Sequence, residues 1–180
     1  MITRHSESPT TELCGMYRDR VLAPDGKILF DRGWTKNAIV VDCRRLLASF
    51  MGGTPALGIQ GLAVGSGDFT WDGGGPPAPT PAQTALVDPA PFIVPAVDLA
   101  IDFIDSGAVT ATPTNRLQIV ASLGPGDPPW PDGGHPAASL REFGLVGELD
   151  GSPALINYVT HPVIHKDPSS TVERTIWLVF

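Results

Sequence analysis

Proline and glycine set the limits on what this chain can fold into. Of its 180 residues, 20 are glycine and 19 proline, and neither type sits comfortably inside a helix or a central strand. Long helical bundles and coiled coils are excluded, which leaves short elements joined by stiff or kinked loops. The hydrophobic fraction of 42% is still enough to build a core, so the apolar pattern between the breakers decides the fold. The length suits one domain. We expect that domain over 13–180, preceded over 1–12 by a polar, unpatterned segment that is a flexible lead or an arm that orders only against a partner.

Two segments flanking Pro24-Asp25-Gly26, residues 18–23 and 27–31, read as a β-hairpin, because proline fixes φ and glycine supplies a positive one. From Asn37 to Phe50, the residues Ile39, Val40, Cys43, Leu46, Leu47 and Phe50 form one stripe only on a helix. Thr35 or Asn37 would cap its start, and Gly52-Gly53 with Pro55 would end it. Residues 58–65 read as a short buried strand leading to an exposed Pro/Gly loop over 73–79, and Thr80-Pro81 opens a short helical turn over 80–86. The second half changes to a period of two. Strands are expected over 97–103, 117–123, 140–146, 154–159 and 172–180, with turns at 150–153 and 167–170. The predicted class is α+β: an antiparallel β-sheet or sandwich, one main amphipathic helix, and long Pro/Gly-rich loops. A chain closing on Phe180 places its last strand at a sheet centre or at a seam between subunits.

The net charge of −7 has the wrong sign for a partner of nucleic acids. Cys14 and Cys43 are too few for a disulfide framework and read as reduced thiols. Neither a signal-like apolar run at the start nor a stretch long enough to cross a bilayer is present, so the expectation is a soluble protein without a membrane partner. His161 and His165, four apart on a strand with Asp167 nearby, could suggest a metal, but nothing completes a ligand set. Gly65-Ser66-Gly67-Asp68 lacks the spacing of a nucleophile elbow or a phosphate loop and reads as a strand exit. Arg141-Glu142 and Glu173-Arg174 place adjacent opposite charges inside apolar strands, where one of each pair should turn inward and find a cross-strand partner. That network closes either within one sheet or between subunits. The loop over 124–136, stiff with prolines and carrying Trp130, is either a docking finger or a lid over its own sheet. Trp34, Trp71, Trp130 and Trp177 lie in loops, at element ends or near the terminus, positions that suit interface hot spots or local packing.

The order of segments resembles that of a known family. Trp34-Thr35-Lys36-Asn37, Cys43-Arg44-Arg45-Leu46-Leu47-Ala48, Leu62-Ala63-Val64-Gly65-Ser66-Gly67, Leu140-Arg141-Glu142-Phe143-Gly144-Leu145-Val146-Gly147, His161-Pro162 with Ile164 and Lys166, and Glu173-Arg174-Thr175-Ile176 follow one another as in small structural proteins of bacteriophage tails. Similar segments occur in tail-fibre and baseplate-associated proteins, in collar-type modules of fibres and in contractile injection systems. The resemblance covers most of residues 34–180 and rests on motif order. It implies a virion protein of the tail, assembled in the host cytoplasm, with no catalytic residues and no cofactor. Its partners would be further copies of itself and neighbouring tail, baseplate or fibre proteins. The loops at 73–79 and 124–136, and the lack of a fibrous repeat, fit a short adaptor better than a whole fibre. On this reading the interface candidates are Trp130, Trp177, Phe180, Arg141, Glu173 and Arg174. The alternative is a small hydrolase acting on a cell-wall or host-surface polymer, with His161, His165 and acidic residues in its site.

Overall fold

The computed structural model describes residues 13–180; the expected arm over 1–12 lies outside them. The hairpin forms where the sequence places it: β1 (Cys14–Leu22) turns through Gly26, at φ 82°, into β2 (Ile28–Asp31). β3 (Thr35–Ile39) leads into the main helix, α1 (Val41–Gly52). β4 (Ala56–Gly65), the single turn α2 (Trp71–Gly74), β5 (Phe92–Pro95), β6 (Ala100–Asp105) and β7 (Ala108–Thr110) follow. β8 (Arg116–Leu123), β9 (Ser139–Leu149), β10 (Ser152–Leu155), β11 (Asn157–His165) and β12 (Thr171–Val179) complete the chain.

All strand pairs are antiparallel, in the order β5-β4-β9-β11-β3-β1-β12-β8-β6-β7, with β10 beside β9 and β2 beside β1. This ribbon doubles back at β3, which pairs with β11 at one end and β1 at the other. Residues far apart in strand order therefore meet face to face. Tyr17 of β1 packs edge-on against Phe143 of β9, with centroids 5.2 Å apart. One apolar core runs between the layers, drawing Ile119 and Leu123 from β8, Ile176 from β12, and Leu62, Leu145 and Val159 from the opposite layer. The result is an antiparallel sandwich with one main helix, within the α+β class expected, and its last strand lies between β1 and β8 rather than at an edge.

Several elements differ from the sequence reading, most of them because a tertiary contact outweighs a local preference. The helix starts at Val41 and not at Asn37, since residues 35–39 are taken up by the strand that joins the two layers. Neither Thr35 nor Asn37 caps it; the amide of Val41 donates instead to the Pro81 carbonyl, 2.8 Å away. The helical turn expected over 80–86 is reduced to a single turn, closed by the Gln83 amide on the Thr80 carbonyl at 3.2 Å, and its backbone serves that contact. The expected strand over 97–103 begins only at Ala100, because Ala96–Asp98 form a 3-10 turn after Pro95. The expected strand over 154–159 splits at Ile156, where the Asn157 side chain takes the Leu145 amide at 2.7 Å in place of a backbone carbonyl. The helix end is as expected: Gly53 adopts a left-handed φ of 69°, and its amide and that of Thr54 close on Phe50 and Ser49.

α1 lies on the sheet through Leu46, and Gly147 of β9 makes the approach possible. A Cβ there would stand 2.6 Å from Leu46 Cδ1 and 2.8 Å and 2.9 Å from the carbonyls of Gly58 and Leu57. Backbone cannot retreat as a flexible side chain can. Gly147→Ala is expected to lower unfolding free energy by about 1–3 kcal/mol, the usual cost of overpacking, as read from urea denaturation; an unchanged midpoint would show that α1 is not seated this closely.

Candidate functional site

The period of two on β1 turns Tyr17, Asp19 and Val21 to the core, and on β12 it turns Val172, Arg174, Ile176 and Leu178 the same way. Asp19 and Arg174 stand directly opposite each other in the ladder. Both are fully buried, and Arg174 donates from Nε and Nη2 to the two Asp19 oxygens at 2.6 and 3.0 Å. The guanidinium carbon lies 3.6 Å from the centre of the Phe143 ring, on the facing layer. Burial alone would raise the Asp19 carboxyl, but Arg174, with help from Arg32, outweighs it and holds the group below its ordinary value.

His161 completes this cluster from β11. Its Nε2 lies 3.1 Å from Arg174 Nη2, which has only protons to give, so Nε2 accepts; Nδ1 then carries the proton and donates to the Pro162 carbonyl at 2.9 Å. Burial, and then the positive Arg174, push His161 down to about 3. It is a neutral spacer between two layers, not a surface histidine. Its presumed companion stands elsewhere, because the register slips between Thr160 and Ile164 and leaves His165 exposed. His165 Nδ1 meets the Ser139 hydroxyl at 3.0 Å. No carboxylate is hydrogen-bonded to His165 among the described residues, and Asp72 nearby is held by Arg141. Asp167 accepts from the amide and hydroxyl of Ser169 within its own turn. No group of three or more His, Cys, Asp or Glu among the described residues could hold a metal ion.

The other charged pair is also engaged within the chain, with one departure. Both Arg141 and Glu142 are buried, because β9 is covered on both faces for most of its length. Glu142 accepts from the amides of Val87 and Asp88 and from the Tyr158 hydroxyl. Arg141 binds Asp72 through two parallel bonds of 2.8 and 2.7 Å and donates to the Ser66 carbonyl. Glu173 points outward and pairs with Arg20 across the strand boundary.

The loop over 124–136 folds back onto its own domain, the lid arrangement and not a projecting finger. Trp130 is buried and stacks on His135, with centroids 3.9 Å apart. His135 reaches Asp132 at 2.8 Å through Nδ1 and Asp88 at 3.0 Å through Nε2. Burial raises Asp88, yet the amides of Ser66 and Ala90 and the His135 ring bring it below its usual value. Asp88 also caps the strand exit at Ser66, with an oxygen 2.7 Å from that amide. Nothing in the sequence pattern marked Asp19, Asp88 or His135, although Asp19 lies in the inward series between Tyr17 and Val21.

Trp177 packs on Trp34 at 4.3 Å and donates to Gln118, while Phe180 exchanges bonds with Asn115 and packs on the core. Phe180 also forms part of an apolar cleft of about 260 Å³ between the layers, lined by Leu46, Phe50, Ile59, Leu117 and Leu178 among others. Cys14 is exposed and Cys43 buried, both as free thiols, and burial pushes the Cys43 thiol up to about 11. No helix among the described residues is long and apolar enough to cross a membrane. Comparison of the chain with known protein families, with curated proteins and with solved structures finds no match in any of the three.

Because the folded state keeps His161 neutral to about pH 3 while an unfolded chain takes up a proton near 6.5, stability contributed at neutral pH is lost as pH falls below 6.5. Between pH 7 and pH 5 the urea midpoint of the native protein is expected to fall more steeply than that of His161→Gln. Equal slopes would mean that His161 titrates freely in the folded state.

Proposed function

We propose that this chain is a structural protein of a bacteriophage tail, a baseplate, collar or fibre adaptor that works by packing against other subunits. The observation that carries the reading is the division of labour among its side chains. Arg141, Glu142, Glu173, Arg174 and His161, the groups with the most chemistry to offer, all have partners inside the chain. Large apolar side chains are left outside: Met51 is 91% exposed, Val97 89% and Phe69 78%, with Ile28, Leu29 and Phe30 exposed side by side on β2. The run of exposed apolar side chains on β2 suits contacts with other protein surfaces.

The motif order described above supplies the tail assignment, and the acidic balance argues against a role on nucleic acid. Repeated copies around a tail axis would make the assembly a symmetric homo-oligomer. Of the interface candidates, Trp177 and Phe180 keep part of their surface accessible, whereas Arg174 and Trp130 are spent on the chain's own interior. The hydrolase alternative would draw on His165, which meets the Ser139 hydroxyl, since His161 is enclosed between the layers.

Static light scattering on the purified protein is expected to show a discrete multiple of 19.0 kDa at micromolar concentration, and particles assembled without the protein should lack their fibres or end structure in electron micrographs. A monomer at all concentrations, together with morphologically complete particles in its absence, would contradict the proposal.

A further inference from the structure

Among the described residues the twelve strands leave four margins, and proline separates them into two kinds. In the layer of β4, β9 and β11, the margin strands are β5, flanked and ended by Pro91 and Pro95, and β10, which contains Pro153. Proline offers no amide and blunts an edge. In the layer of β1, β12 and β8, the margins are β2 and β7, and neither contains proline. β2 is hydrogen-bonded only to β1, and β7 only to β6, among the described residues. Their lengths match to within one residue, four against three. Each presents an apolar side chain near its centre, Val109 at 58% exposed and Leu29, the extra residue where the β1–β2 register shifts, at 59%.

Charge distinguishes the two margins further. No lysine or arginine occurs between residues 46 and 115. The β6–β7 margin accordingly carries Asp102 and Asp105 without a compensating cation in its own segment. The opposite margin carries Lys27 beside β2 and Lys36 on β3, both exposed and neither in an ion pair among the described residues, against one exposed acid, Asp25, while Asp31 of β2 is neutralised by Arg18. Like margins would repel and unlike margins attract.

We propose that copies of this chain join head to tail, β2 of one copy adding to β7 of the next so that the sheet continues across the interface. The backbone hydrogen bonds left open at both margins supply the directionality, Leu29 and Val109 the apolar contact, and the lysines and aspartates the polarity that excludes β2–β2 and β7–β7 pairing. Such a contact uses two different patches and generates a ring or a filament, as the rotation between copies dictates. This inference rests on the self-assembly reading above and specifies where that assembly takes place.

The test begins with Cys14→Ser, which removes the exposed native thiol, and adds Leu29→Cys to one preparation and Val109→Cys to another. Within one copy the two positions are about five strand spacings apart, roughly 24 Å, and in separate preparations only a contact between copies can join them. A short bifunctional thiol reagent is expected to give a covalent dimer when the two preparations are mixed and far less with either alone. Val109→Lys and Leu29→Lys should each weaken association by about tenfold or more, read by light scattering, while Ile93→Lys on the proline-guarded margin leaves it unchanged. Dimers from Leu29→Cys alone, or an oligomer of unaltered mass without the mixed product, would overturn the edge pairing and leave self-assembly standing. A monomer in every preparation would overturn both.

Discussion

The fold depends on a charged pair placed where an apolar residue would be expected. Asp19 and Arg174 occupy inward positions on the first and last strands, opposite each other in the ladder and sealed from water. Two charges taken from water cost several kcal/mol each, and their attraction offsets this only with good geometry and further hydrogen bonds. Here the carboxylate receives two bonds, the Arg32 guanidinium stands 3.7 Å away, and His161 and the face of Phe143 take what remains of the guanidinium. One guanidinium nitrogen, Nη1, keeps no hydrogen bond, and the Phe143 face beside it is its nearest compensation. A slip of one residue between β1 and β12 would turn one charge out of the core and leave the other buried without its partner, so the pair specifies register for strands joined from opposite ends of the chain. Because His161 and Phe143 come from the other layer, the same cluster also fixes how the two layers stack.

A second set of polar contacts organises the loops that proline and glycine make unavoidable. Glu142 and Asp88 gather backbone amides from segments with no ladder of their own, and Asp88 passes the connection on to His135 and the 124–136 loop. Arg141 does the same for α2 through Asp72. Each polar group is used where a buried amide or carbonyl would otherwise be unpaired, which costs more than the hydrogen bond returns. Side chains that resemble chemical machinery in the sequence are thereby committed to architecture.

How much of this was legible in the sequence follows from the range of each interaction. The Pro24-Asp25-Gly26 hairpin, the Gly53 cap and the alternation of β8 and β12 depend on residues within a few positions of each other, and all are found where the pattern places them. α1 starts later than its periodicity predicts because residues 35–39 choose a strand only once β1 and β11 arrive from elsewhere. The inward turn of one charge in Glu173-Arg174 was readable from period two, but its partner was not, since Asp19 lies 155 residues away. Asp88 and His135 sit in segments with no period, where no local rule distinguishes a capping carboxylate from a solvated one. The face-to-face closure that brings Tyr17, Phe143 and Arg174 together is a property of the whole ribbon.

The most direct measurement of this account is a double-mutant cycle across the buried pair, with Asp19→Leu, Arg174→Met and the two combined, followed by urea denaturation. Each single change strands a buried charge and is expected to cost about 3–5 kcal/mol, while the combined variant should lose much less than the sum. Additivity within about 0.5 kcal/mol would contradict the claim that these two residues act as one unit holding strands and layers in register.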